Sequence, residues 1–376
     1  MVLANATSTT YADINGTIRV NANGGAGAGS GDTAFCGGGG AGGSVTIEAS
    51  ILSGASTGSI QALGAAGGTS VSHGRHGGSG SGGRVSLNVA SSTFGGSVVA
   101  WGGVAVGGLA AGAPGTVFWS VGPDRATRTR RLIINNNNRA GGNAMLTDAG
   151  RDTYAFDSVT LSNIGRLAWS PASTSLSQPS SLVVSSLVGD ATSSGRLTVS
   201  VLTILVLPST YTISGMEVVV AGTLSGVTSL TMDGASALTL TATGRTTGLS
   251  SSVFSLSSLT LRSNSLLTAT SPTALTVVNT LLVQDTSRIV LGSLNGFRMV
   301  VGTLDLSPVS SVTFSGAWIL EATVALLLRA GSFISGDGGG FGAGAGCGVA
   351  GVTGGSGGRQ CVYGHSSCVV SMAGCG

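Results

Sequence analysis

The sequence predicts an all-β protein built as a right-handed parallel β-helix, a solenoid of stacked coils, with glycine-rich, polyproline-II-like insertions. Three observations lead there. An apolar pattern with nearly constant offsets recurs eight times between Phe156 and Ile334. A second repeat of about forty residues runs through the first third of the chain, and glycine tracts interrupt it at matching places.

The eight-fold pattern is anchored on Val159, Leu187, Leu205, Leu230, Leu259, Leu281, Leu304 and Leu326. Three residues before each stand Phe156, Val184, Leu202, Val227, Leu256, Val278, Val301 and Thr323, of which only Thr323 is not apolar. Eight residues after come Leu167, Ile213, Leu238, Leu267, Ile289, Val312 and Ile334, while the Leu187 copy needs two more to reach Leu197. Successive copies are 28, 18, 25, 29, 22, 23 and 22 residues apart, within the range where self-similarity signals a solenoid. Alternation such as Leu259-Thr260-Leu261 gives each strand one inward face and one solvated face. Asp233-Gly234, Ser263-Asn264, Asp285-Thr286 and Ser307-Pro308 supply corner residues between the first and second strands. A third strand is expected over segments such as Ala274-Leu275-Thr276-Val277-Val278 and Phe297-Arg298-Met299-Val300-Val301. Residues 156–335 therefore read as regular three-strand coils, each burying its apolar face only against its neighbours.

Residues 1–119 carry the longer repeat. Gly43-Ser44-Val45-Thr46-Ile47-Glu48-Ala49 matches Gly83-Arg84-Val85-Ser86-Leu87-Asn88-Val89, and Ser59-Ile60-Gln61-Ala62 matches Ser97-Val98-Val99-Ala100. Partial copies occur at Thr17-Ile18-Arg19-Val20 and Ser332-Phe333-Ile334. Glycine tracts fill 24–31, 37–43, 64–83 and 102–115. Such tracts have two readings: mobile loops, or extended polyproline-II-like segments that pack closely because glycine has no side chain. Their regular recurrence favours packing into a slab. Residues 120–155 form an Arg- and Asn-rich connecting segment, with Arg125, Arg128, Arg130, Arg131, Arg139 and Arg151 beside Asp124, Asp148 and Asp152. Residues 336–376 form a glycine- and cysteine-rich terminal segment.

Composition agrees. The chain has 65 glycines, 8% charged and 5% aromatic residues, and its positive mean hydropathy of +0.44 separates it from disordered chains, which are poor in aliphatics.

The units Gly-Gly-Ser-Val-Thr-Ile and Gly-Ser-Ile-Gln-Ala, with Gly115-Thr116-Val117-Phe118-Trp119, Leu132-Ile133-Ile134-Asn135-Asn136 and Tyr154-Ala155-Phe156-Asp157-Ser158-Val159-Thr160-Leu161-Ser162-Asn163, resemble segments of large, secreted, glycine-rich parallel β-helix proteins of microbial and protist cell surfaces. The resemblance implies an extracellular or cell-surface structural role.

Compartment signals point the same way. Asn5-Ala6-Thr7 and Asn15-Gly16-Thr17 are N-glycosylation triplets, making Asn5 and Asn15 the candidate glycan sites. Cys347, Cys361, Cys368 and Cys375 crowd the terminal segment without a close Cys-x-x-Cys pair, so disulfides that staple a weak core are expected rather than zinc. Cys36 is left over, a candidate intermolecular link between one chain and the next. Residues 1–20 have neither a basic start nor a continuous apolar stretch. The apolar run at 197–207 is too short for a membrane helix, so no membrane insertion is expected. The chain begins and ends in mid-repeat and is expected to be a piece of something longer, with open strand edges that permit head-to-tail association of copies.

Catalytic signals are weak. A glycosidase needs paired carboxylates, but there are three Glu and eleven Asp, and no adjacent copies repeat an outward acid at one offset. His73-Gly74-Arg75-His76 has no third ligand, and Asp337 is a single imperfect match to a calcium repeat. The Arg cluster lacks interleaved aromatics, and the net charge is only +3, so no nucleic-acid partner is expected. No enzyme, metal or cofactor is expected. The function expected is an extracellular structural one: a segment of a surface fibre, flagellar hair or cell-wall filament that assembles end to end and bears covalent glycans. The alternatives are an adhesin that binds carbohydrate or another cell, or a polysaccharide-degrading enzyme. Trp101, Trp119, Trp169 and Tyr211 discriminate: gathered on one outward face they favour binding, and buried they favour structure.

Overall fold

A computed structural model of the chain describes residues 11–13, 19–21, 23–27, 36–70, 74–147, 153–170, 180–190, 195–201, 203–241, 253–270, 274–292, 297–315, 318–335, 340–341, 368–372 and 374–375. Among these the protein is all-β, without a helix, and its larger sheets are open and mostly parallel. The chain forms two compact units, Met1–Ala172 with Leu182–Thr198, and Ser173–Ser181 with Val199–Gly376.

In the first unit the forty-residue repeat becomes strand register. Ser44–Gly54 lies parallel to Arg84–Phe94 with Val45 opposite Val85 and Ile47 opposite Leu87, and Ile60 of Ser59–Gln61 lies opposite Val98 of Ser97–Val99. Val45, Ile47, Leu52, Ile60, Ala62, Val85, Leu87, Val89, Ala100 and Val117 form one apolar core.

The next step breaks the parallel rule. Thr116–Val121 follows Arg84–Phe94 in parallel, but Thr129–Asn135 pairs with it antiparallel, and Thr153–Ser162 then runs parallel to Thr129–Asn135. Residues directly opposite each other in a sheet point to the same face. Val117 and Ile133 are opposite and pack on the first core, whereas Phe118 and Leu132 are opposite on the other face. On that second face Leu132 meets Val159, Ile134 meets Leu161, and the Phe118 ring stands edge-on to Phe156 with centroids 6.1 Å apart. The apolar interior thus passes from one face of the sheet to the other within a single hairpin. The segment expected to connect two regions contributes strands to both cores.

The glycine tracts are packed. Gly24 and Gly27 donate main-chain hydrogen bonds to Leu63 and Ala66, Gly39 and Gly42 to Gly78 and Ser81, and Gly77, Gly80 and Gly83 to Gly68, Ala65 and Ala62. Donors step by three residues and acceptors step by three in the same or, for Gly77, Gly80 and Gly83, the opposite sense; this is the repeat of a polyproline II helix, which makes no internal hydrogen bonds and so must find partners outside itself. The approach is close enough to exclude any side chain. A β-carbon on Gly80 would lie 2.0 Å from the Gly40 carbonyl oxygen, and one on Gly67 1.9 Å from that of Gly77. Asn136, fully buried, ties the tract 102–112 to the hairpin: its Oδ1 accepts from Gly102 N at 2.9 Å, and its Nδ2 donates to Gly112 O at 3.1 Å and Arg139 O at 2.6 Å.

The second unit contains the regular copies. Leu230, Leu259, Leu281, Leu304 and Leu326 stack as consecutive register partners, as do Leu238, Leu267, Ile289, Val312 and Ile334 in a second sheet. From Leu230 to Leu304 and from Leu238 to Val312 these side chains are buried. Three expectations about the copies are corrected.

First, the expected first and third strands are one bent strand: Ala274–Val283, Phe297–Leu306 and Trp318–Leu328 each run through both. Second, the bend is a bulge of variable length. Two residues, Val278 and Asn279, oppose the single Gly302, so Val277 takes the inward place and Val278 is 62% exposed. The same shift makes buried Ala322, not Thr323, the inward residue of the last copy. Third, the Leu205 copy is out of frame. Leu205 pairs with Leu224, Tyr211 lies beside Leu230, and Val218 rather than Ile213 lies beside Leu238. Pro208, which has no N–H for a ladder, divides this copy into Thr203–Val206 and Thr210–Ser214. Its corner is the single residue Gly215 (φ 64°), shorter than the two-residue corners elsewhere.

Candidate functional site

The candidate site is the set of contacts that join one copy to the next. They begin at the corners. Gly234-Ala235, Ser263-Asn264 and Asp285-Thr286 each hold two successive residues at positive φ, as do Asn137-Asn138 and Asn163-Ile164 in the first unit. Two such residues make the tight reversal of a type I′ turn. Thr286, Ile164 and Val309 hold a positive φ despite β-branching, which is unfavourable.

Directly after the corners of the second unit stand Ser236, Ser265, Ser287 and Ser310, all buried. Ser236 Oγ is 3.4 Å from Ser265 Oγ and donates to Ile213 O at 3.1 Å, while Ser287 Oγ accepts from Ser265 N at 3.0 Å. Through Ser236, Ser265 and Ser287 these hydroxyls join one copy to the next, whereas the Ser310 hydroxyl is buried without a hydrogen-bond partner among the described residues. The sequence reading took the corner residues themselves and passed over the serine that follows, although Ser recurs there at every copy from Ser236 to Ser332.

Outside, an ionic ladder runs across copies. Arg262 pairs with Asp233 at 2.9 Å, Arg298 with Glu321 at 2.8 Å, and Arg329 grips both oxygens of Asp305 at 3.0 and 2.8 Å. The Ser263 side chain, the Gly234 N–H and Arg262 hold the Asp233 carboxyl below its ordinary range, against a smaller opposing effect of burial. Arg329 lowers Asp305, and Asp305 in turn raises Arg329. These exposed pairs are individually weak.

The discriminating aromatics are turned inward. Trp169 and Tyr211 are buried, and Trp101 and Trp119 are half-buried. The Trp101 ring carries the Arg139 guanidinium 5.6 Å above it, and Trp169 meets Tyr154 edge-on at 5.2 Å. The His76 ring occupies the space over Gly107.

The remaining candidate residues separate as follows. Cys36 is half-buried in the first glycine tract. Asn5, Asn15, Cys347, Cys361, Asp148, Arg151, Asp152, Asp337 and His73 lie outside the described residues. Cys368 and Cys375 belong to the short strands Cys368–Met372 and Gly374–Cys375, but their side chains are outside the description. Among the described residues no three His, Cys, Asp or Glu side chains gather closely enough to hold a metal ion, and no helix is long and apolar enough to cross a membrane.

No protein-family model, curated protein or solved structure matches the chain.

Proposed function

We propose that the chain is a right-handed parallel β-helix acting as an extracellular structural element, a segment of a surface fibre, flagellar hair or cell-wall filament. The observation that carries this reading is the file of register partners Leu230, Leu259, Leu281, Leu304 and Leu326, reinforced by the buried serine file and the outer ionic ladder. In the second unit the copies from Leu230 to Leu326 are joined by apolar packing and main-chain bonds, with side-chain bonds between several of them, so that each copy is held by its neighbours. At the hairpin of the first unit, strand direction and interior face reverse together. The two changes amount to a half rotation about the stacking direction, so a single winding sense can persist through it. The inward aromatics favour a structural role over an adhesive one. The resemblance read from the glycine-rich repeat units of the sequence points to the same compartment.

In this reading Asn5 and Asn15 carry glycans, Cys347, Cys361, Cys368 and Cys375 form disulfides in the terminal segment, and copies associate head to tail, with Cys36 as a covalent link. Electron microscopy of the native material tests it. Regular filaments whose subunits release Asn-linked glycan on enzymatic deglycosylation are expected. Dispersed single particles at high concentration, with only monomer on non-reducing electrophoresis, overturn it.

A further inference from the structure

The hairpin that exchanges the two cores ends in a loop of a different chemistry from the rest of the molecule. Arg125, Arg128, Arg130 and Arg131 fall within seven residues; Arg128 is half-buried and the other three are exposed. Elsewhere Arg262, Arg298 and Arg329 are neutralised by carboxylates of the neighbouring copy. At the hairpin tip the nearby carboxylates are engaged by main-chain donors instead. Asp124 Oδ1 accepts from Ala126 N at 3.0 Å, and Asp157 Oδ2 accepts from Arg130 N at 2.6 Å. Among the described residues none of the four guanidinium groups forms an ion pair.

The tip is also built to hold its shape. Gly122 sits at φ 148°, and a β-carbon there would lie 3.1 Å from Arg128 Cα. Arg128 Nε donates back to Gly122 O at 2.8 Å, fixing its guanidinium across the turn. The result is a cationic tip, with Arg130 and Arg131 on opposite faces of their strand, whose planar forks match carboxylate and sulfate oxygens two at a time.

We propose that this tip, Arg125 to Arg131, binds a linear polyanionic polysaccharide carrying carboxylate or sulfate groups. Two observations select that partner. Phe118 and Trp119 are half-buried toward the cores, so the tip has no aromatic platform for single-stranded nucleic acid. No large apolar side chain is exposed between Leu109 and Met145, so nothing there can insert into a lipid surface. The inference holds whether or not the chain is a fibre segment.

Binding of the 376-residue chain to polygalacturonate, dextran sulfate and neutral dextran tests it by thermophoresis over a range of salt. Binding to at least one of the charged polymers, and none to dextran, is expected. The variant R125Q/R128Q/R130Q/R131Q weakens that binding about tenfold or more and lowers the slope of log K on log salt by about three to four. The control R262Q/R298Q/R329Q, which removes the paired arginines, leaves it unchanged. Should the quadruple variant lose its thermal transition, R125Q/R131Q takes its place, with a loss of about threefold or more. Failure of both charged polymers to bind, an equal loss in the control, or equally tight binding of phosphatidylserine vesicles or duplex DNA overturns the proposal.

Discussion

The glycine tracts of the first unit and the aliphatic files of the second solve one problem in opposite ways. In both, consecutive passes of the chain must stack closely and satisfy every buried main-chain group. The second unit does it with side chains: Leu281 and Leu304 are buried to 0% exposure, and the strands they sit on bond to one another in parallel ladders. The first unit does it by removing side chains, so that Gly39, Gly40, Gly77 and Gly80 bring main chain directly against main chain. The difference teaches that cohesion here depends on matched spacing between neighbouring passes, whether side chains fill the space or are absent from it. The two regions should therefore respond oppositely to a change of side-chain volume.

The largest effect expected is from removing volume in the second unit. Leu281→Ala deletes a fully buried side chain between two equally buried neighbours and should cost about 2–5 kcal/mol, measured by denaturant unfolding. A loss below about 1 kcal/mol would mean that the file does not hold the copies together. Adding volume in the first unit comes next. Gly80→Ala places a methyl 2.0 Å from the Gly40 carbonyl oxygen, where only backbone movement relieves the clash, at about 3 kcal/mol. Amide hydrogen exchange should locate the damage at Gly39 and Gly103, which bond to the surrounding passes. An alanine tolerated there without faster exchange would restore the mobile-loop reading of the tracts.

A smaller effect of opposite sign separates corners from strands. Val309 holds a left-handed conformation (φ 65°) and is 61% exposed. That conformation costs a side-chain-bearing residue about 1–2 kcal/mol, and glycine's extra freedom in the unfolded chain returns about 0.5–1 kcal/mol of it. Val309→Gly should therefore stabilise the protein by about 0.5–1 kcal/mol, seen as a higher thermal midpoint. A fall in the midpoint would mean that the valine itself makes a needed contact.

The smallest effect belongs to the outer ladder. Asp233 and Asp305 have folded pKa values below the ordinary value of 3.8. The unfolded chain therefore takes up their protons first as pH falls. Their contribution is present in full above the unfolded value and disappears as pH drops through the folded one. Stability should be flat above about pH 5 and decline below about pH 4, by up to about 1 kcal/mol per pair. In D305N that decline should shrink, and an unchanged profile would exclude the Asp305–Arg329 pair as its source.

Much of this was legible before any coordinates. Alternation placed Leu259, Leu261, Leu304 and Leu306 inward, and the match of Gly43–Ala49 to Gly83–Val89 gave a strand register that the structure keeps residue for residue. Ile213 is inward, but the offset assigns it to the wrong strand because Tyr211, not Leu205, is the partner of Leu230, while Val278 and Thr323 are misread through the bulge. A bulge or a one-residue corner shifts the register without altering the apolar character of the segment, so an offset counted along the chain passes it unnoticed. The arginine tip was visible as composition, yet its lack of carboxylate partners depends on where Asp124 and Asp157 direct their oxygens.

The sequence by itself determined the all-β character, the identity of the inward aliphatics and the forty-residue spacing of the first strands, because side-chain polarity alternates within one strand and needs no partner to be read. Only the tertiary structure decided the antiparallel hairpin that carries the interior from one face of the sheet to the other, and which glycine bonds to which. Strand direction and main-chain pairing join residues far apart in the chain, and a glycine carries no side chain in which such a partner could be written.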